Sequence, residues 1–145
     1  MNYLLDTNVV SELMKPTPSP QVWTWLDTMP DWQLFISSLT IGELQRGIEQ
    51  LPQSARRTRY EHWFEESILE RYADRILAID TAIMLRWGAL VASLLSSGRT
   101  LPAFDSILAA TALTHDLRLV TRNTSDFAGT GVQLINPWQD APSDN

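Results

Sequence analysis

The chain has 145 residues and no cysteine, which excludes disulfides, thiolate metal sites and cysteine nucleophiles and suits a reducing compartment. Its net charge is -6, from 17 acidic against 11 basic residues, a balance that does not announce a nucleic-acid-binding protein. No apolar run approaches the ~18 residues of a membrane span, and the start "MNYLLD" lacks a basic leader, so the expectation is a single cytoplasmic domain.

In chain order, "NYLL" predicts a short buried strand. "SELMK" predicts a brief helical turn stopped by the stiff loop "PTPSP", and "PQVWTWLDTM" a short helix with Pro20 in its first turn. "LFIS" reads as a second strand of the parallel-sheet type. "TIGELQRGIEQL" predicts a helix, and "QSARRTRYEHWFEESILERYAD" a longer one with Tyr60, Trp63, Phe64, Ile68 and Leu69 at helical spacing. "RILAID" is a third strand. Asp80 is placed to cap the helix "TAIMLRWGALVASLLSSG", and Gly98 to end it. "LPAFDSILAATALTHD" is a further helix, "RLVT" a fourth strand and "VQLI" a fifth. Residues 1–140 are expected to form the domain and 141–145 a flexible tail. Strands separated by helices imply one α/β domain, with a central, mostly parallel sheet of four to five strands flanked by helices.

In such sheets functional groups gather at the carboxyl ends of the strands. Asp6 closes the first strand, Glu43 opens the helix after the second, and Asp105 lies early in the helix leading to the fourth. Asn123 and Asp126 follow that fourth strand. Each acid also has a local reading. Asp6 suits an Asx turn, Thr40 and Glu43 a capping box, Asp105 the helix dipole, and Asp126 the cap of a one-turn helix. If the strand order brings the acids together, their repulsion calls for a divalent cation with a preference for oxygen ligands. Such a site suits phosphodiester hydrolysis. His62 reads as a packed or exposed helix side chain and His115 as a structural cation near a helix C-terminus, and neither takes part. Arg56, Arg57 and Arg59 read as a solvated face, with contact to RNA or an acidic partner as the alternative, and Trp63, Phe64, Ile68, Leu69 and Trp87 mainly as core.

The segments "LLDTNVVSEL", "SSLTIGELQRGIE", "LPAFDSILAATALTHDLRLVTRNTSDF" and "GTGVQLINPW" cover most of the chain. In this order they resemble the PIN-domain family, and within it the FitB-like branch of the VapC-type toxins. The resemblance implies a Mg²⁺-dependent ribonuclease, with Mn²⁺ as a substitute, that is silenced by a VapB-like antitoxin. Carried over by position, Asp6, Glu43 and Asp105 hold the metal. The fourth acid of the family pattern falls where this chain has Asn123, with Asp126 three residues on; Asp126, Asn123 or a water fills that position, with Asp126 preferred. Thr7, Asn8, Thr121 and Asn123 would orient the carboxylates. Arg46, one turn after Glu43, would meet RNA or the partner. The resemblance further implies operator DNA bound only through the antitoxin, and a homodimer. The alternative is a non-catalytic α/β partner subunit of a DNA-binding repressor complex. A phosphoacceptor receiver module is disfavoured because the only lysine is Lys15.

Overall fold

Strand β1 (Tyr3–Leu5) is fully buried and central, with parallel neighbours on both sides. The computed structural model describes residues 1–139, so the tail expected at 141–145 lies outside the described residues. β1 is followed by helices α1 (Thr7–Met14) and α2 (Pro20–Asp27), then β2 (Leu34–Ser37) and α3 (Ser38–Glu49). Helix α4 (Ala55–Trp63) runs into a π-helical stretch at Phe64–Glu70 and on to β3 (Ile76–Leu77). Helices α5 (Thr81–Ser96) and α6 (Ala103–His115) precede β4 (Arg118–Val120). A single 3₁₀ turn (Thr124–Phe127) leads to β5 (Leu134–Ile135). The five strands are all parallel, in the order β3-β2-β1-β4-β5, as expected for the fold class.

Alternation along the strands divides the core between the two faces of the sheet. Tyr3 and Leu5 of β1 and Val120 of β4 join Val9, Val22, Trp25, Leu44, Phe64 and Ile68 under the helices α1 to α4. Leu4 and Leu119 face the other way, against Leu90, Leu94, Leu108 and Ala109 of α5 and α6. Tyr3 meets the edge of Trp25 at 5.2 Å between ring centroids. The first face also holds a buried cation. Arg75 donates to the carbonyls of Asp31, Leu34 and Arg71 and lies 4.6 Å over the Tyr72 ring. Arg75→Ala leaves three carbonyls short of a donor, so it is expected to cost roughly 2–4 kcal/mol, read as a lower midpoint in urea unfolding.

Several expectations need correction. The turn expected at "SELMK" is a full helix that begins at Thr7, because the Asp6 side chain accepts from the Thr7 N–H and caps it. The helix expected from Thr40 begins at Ser38 instead. Ser37 caps it by accepting from the Leu39 N–H, so Thr40 and Glu43 form no capping box. Asp126 is not a cap either, because it lies inside the 3₁₀ turn whose cap position is Asn123. The long helix expected over 53–74 starts after Ser54 and widens to π-helical winding at Phe64. The third strand shrinks from six residues to Ile76–Leu77. Asp80 does cap α5, accepting from Ile83, and Gly98 beyond its end takes a φ of 74° that suits glycine alone.

Candidate active site

The strand order reverses between β1 and β4. The chain first adds β2 and β3 on one side of β1, then returns to place β4 on the other. Ligand sites in open α/β sheets form in the crevice outside the carboxyl ends of the strands at such a point. Asp6 leaves β1 there, and Thr121 leaves β4 beside it. The Thr121 hydroxyl donates to one Asp6 carboxylate oxygen at 2.8 Å, and the Thr7 N–H donates to the other at 2.7 Å. Asn8 Nδ2 stands 3.4 Å from both Asp6 and Thr121. The Asn123 N–H donates to the Thr121 hydroxyl at 3.1 Å, so each group the sequence assigned to orienting the acids touches this network.

The second acid arrives from the opposite side. The Thr7 hydroxyl donates to Glu43 at 2.7 Å, with the buried Thr40 hydroxyl 3.1 Å from Thr7. Asp105 comes from the first turn of α6. Asp6, Glu43 and Asp105 line one cleft of about 490 Å³, together with Thr7, Asn8 and Asn123. The structure therefore brings those acids together. Asp126 does not line the cleft, but its charge is close enough to push the Asp105 carboxyl up. Arg46 lies outside the cleft as well, in a neighbouring cavity of about 410 Å³ that shares Glu43 and is walled by Phe104 and Ile79. Ser11, Glu12, Lys15, Arg122 and Trp138 also line the acid cleft, and sequence reasoning passed over all five as site residues. His62 and His115 are exposed, and neither lines the cleft. Arg57 is structural, paired with Glu49 and Glu61, while Arg56 and Arg59 are exposed.

The electrostatics match the crowding. Burial raises the Asp6 pKa from 3.8 to about 6, against the lowering effect of its two donors, and repulsion from Asp105 and Glu43 adds to the rise. Asp105 is pushed up by burial, then by Asp126 and Glu43. Hard carboxylate oxygens, desolvated and mutually repelling, are the donor set a divalent cation relieves. Among the described residues, no three histidine, aspartate or glutamate side chains are already spaced to grip one ion directly. Mg²⁺ retains several of its waters and needs only one or two direct carboxylates, so the donor set still fits.

A five-stranded parallel sheet with acids meeting at its switch point has a named counterpart: the PIN domain model matches residues 3–131, and the chain belongs to the PIN-domain family. Ribonucleases of that family depend in general on a divalent metal. Among individual proteins, the chain is similar to VapC ribonuclease Y4jK of Sinorhizobium fredii, at 36% identity over 95% of this chain and 99% of the relative. It is also similar to toxin FitB of Neisseria gonorrhoeae, at 34% identity over 94% and 99%. A solved structure of FitAB bound to an IR36 DNA fragment superposes with a TM-score of 0.90 at 31% identity, covering 99% of both chains. Among the described residues, no helix is long and apolar enough to cross a membrane.

Proposed function

We propose that the chain is a metal-dependent endoribonuclease, the toxin of a toxin–antitoxin pair, with Asp6, Glu43 and Asp105 holding Mg²⁺ or, in its place, Mn²⁺. The observation that carries this reading is the arrival of those acids from separate segments in one cleft, with Asp6 raised to about 6. The similarity to a named VapC ribonuclease and a named toxin supports it. The bound cation supplies charge neutralisation at the scissile phosphate and a lower pKa for an attacking water. The chain's own residues do the positioning. Thr121 and the Thr7 amide fix both oxygens of Asp6, and the Thr7 hydroxyl fixes Glu43. Asp126, exposed beside Asp105, completes the acidic site through water, and Asn123 faces the cleft in place of the family's fourth acid.

The partner is a VapB-like antitoxin, through which the pair reaches operator DNA; the DNA-bound FitAB structure supports that arrangement. A cavity of about 320 Å³ lined by Leu5, Val10, Leu13, Trp23 and Trp63 offers an apolar seat for an antitoxin segment. Leu85, 72% exposed, and Leu95, 56% exposed, fit self-association along α5. The test is cleavage of a mixed RNA substrate by the purified chain. EDTA is expected to stop cleavage, and added Mg²⁺ or Mn²⁺ to restore it. Cleavage that persists in chelator eliminates this mechanism.

A further inference from the structure

We propose that Arg122 is a substrate-phosphate contact on the rim of the acid cleft, and that Trp138 and Asn136 are positioning residues that aim it. The proposal rests on the ribonuclease reading and adds which side of the site the RNA strand crosses. Arg122 lies directly after β4, beside the hydroxyl that fixes Asp6. Its backbone is held from two directions. The Arg122 N–H donates to Asn8 Oδ1 at 3.3 Å, and the Arg122 carbonyl accepts from Asn136 Nδ2 at 3.3 Å. Asn136 Oδ1 accepts the N–H of Trp138 at 2.9 Å, so one buried amide ties the arginine's segment to the turn that carries the indole. The result is a stack, with the guanidinium 5.0 Å from the centroid of the Trp138 ring.

Such a stack occupies a face of the guanidinium and leaves its N–H edge for a planar or tetrahedral anion. Three other arginines, none of them lining this cleft, are committed elsewhere. Arg57 and Arg71 pair with carboxylates, and Arg75 is spent on carbonyls. Among the described residues no carboxylate pairs with Arg122. The acid within its electrostatic reach, Glu12, is already bound to Lys15 at 2.7 Å. Arg122, Trp138 and Lys15 line the same cleft as Asp6, Glu43 and Asp105. The acids are therefore suited to a cation at the scissile phosphate, while Arg122, whose charge no carboxylate pairs among the described residues, is suited to a neighbouring phosphate of the same strand. This is a local means by which a chain of net charge -6 engages a polyanion.

The experiment measures anisotropy of a fluorescent single-stranded RNA oligonucleotide in EDTA between 50 and 200 mM salt, alongside steady-state cleavage in Mg²⁺. Arg122→Ala is expected to weaken binding about tenfold and to lower the slope of log affinity against log salt by about 0.7, the value for one lost phosphate contact on a single strand. KM should rise about tenfold while kcat stays within about twofold, because the contact lies beside the reacting phosphate and not on it. Trp138→Ala should reproduce part of this loss. Trp138→Phe, which keeps a ring face under the guanidinium, should restore most of it, and Arg122→Lys should fall between. If Trp138→Ala fails to fold, Arg122→Ala and Trp138→Phe decide the matter. An unchanged salt slope and KM in Arg122→Ala, with a wild type that binds and cuts, overturns this proposal alone. A wild type that neither binds nor cuts overturns the ribonuclease reading with it. A defect confined to antitoxin binding makes the stack a protein contact and overturns the proposal as well.

Discussion

Asp105→Ala is expected to lower RNA cleavage by on the order of 10²–10³-fold or more, with kcat falling and the fold intact. The size follows from what the residue faces. Asp105 stands in the cleft with Asp6 and Glu43, where a charge-stabilising group acts at low effective dielectric and ahead of the reaction. Asp6→Ala should be as damaging to cleavage; its lost helix cap costs about 1 kcal/mol, a loss offset above about pH 6 by removal of the buried charge. Neither variant should prevent assembly with the antitoxin or operator binding by the complex. That combination separates the enzyme from the alternative, a non-catalytic subunit of a repressor, which would tolerate both changes. Wild-type cleavage rates in either variant would remove the site assignment.

The second large effect concerns stability. Asp6 has a higher pKa in the folded protein, about 6, than the ordinary 3.8 expected when unfolded. The native state therefore holds this proton more tightly. The benefit is complete below about pH 4 and drains away as the pH climbs through about 6, above which the buried carboxylate is a net cost. The shift corresponds to roughly 3 kcal/mol. In chelator at pH 7.5, Asp6→Asn should recover most of this and raise the melting temperature by about 5 °C. The asparagine keeps an acceptor for the Thr7 amide, so the helix cap survives. Below pH 4 the two proteins should melt together. Adding Mg²⁺ at pH 7.5 should then stabilise the wild type more than Asp6→Asn, since binding to the native state alone shifts the unfolding equilibrium. Parallel stability–pH profiles for the two proteins would show that Asp6 carries no such charge penalty.

The parts of this fold that were legible in the sequence are those whose local signals agree with their packing. "LFIS" is a strand to the residue because it is apolar, β-rich and bounded by a capping serine. Asp80 and Gly98 bracket α5 because a cap and a positive-φ glycine have physical causes that act within a few residues. Only the second half of helix α1 is legible, because "DTN" carries turn chemistry. Asp6 uses that same chemistry to start a helix directly at the strand end. The early start of the helix matters at the site. With the helix begun at Thr7, the spacing of Thr7, Ser11 and Lys15 places all three on one face, which is the face that lines the cleft. The edge strands β3 and β5 are two residues each, so alternation had too few positions to set their limits. The acids were found by their position after strands, a rule of topology that needs no contacts. Trp138 was invisible to that rule, since its position depends on an Asx turn at Asn136 and on a strand that pairs beside β4.

The hydrogen bond from Thr121 to Asp6 joins positions 115 apart, and it does so across the middle of the sheet. Until β4 has left the ribosome and inserted beside β1, the first acid has no hydroxyl to hold it and the rim arginine is unplaced. A nascent or truncated chain thus lacks the assembled centre altogether.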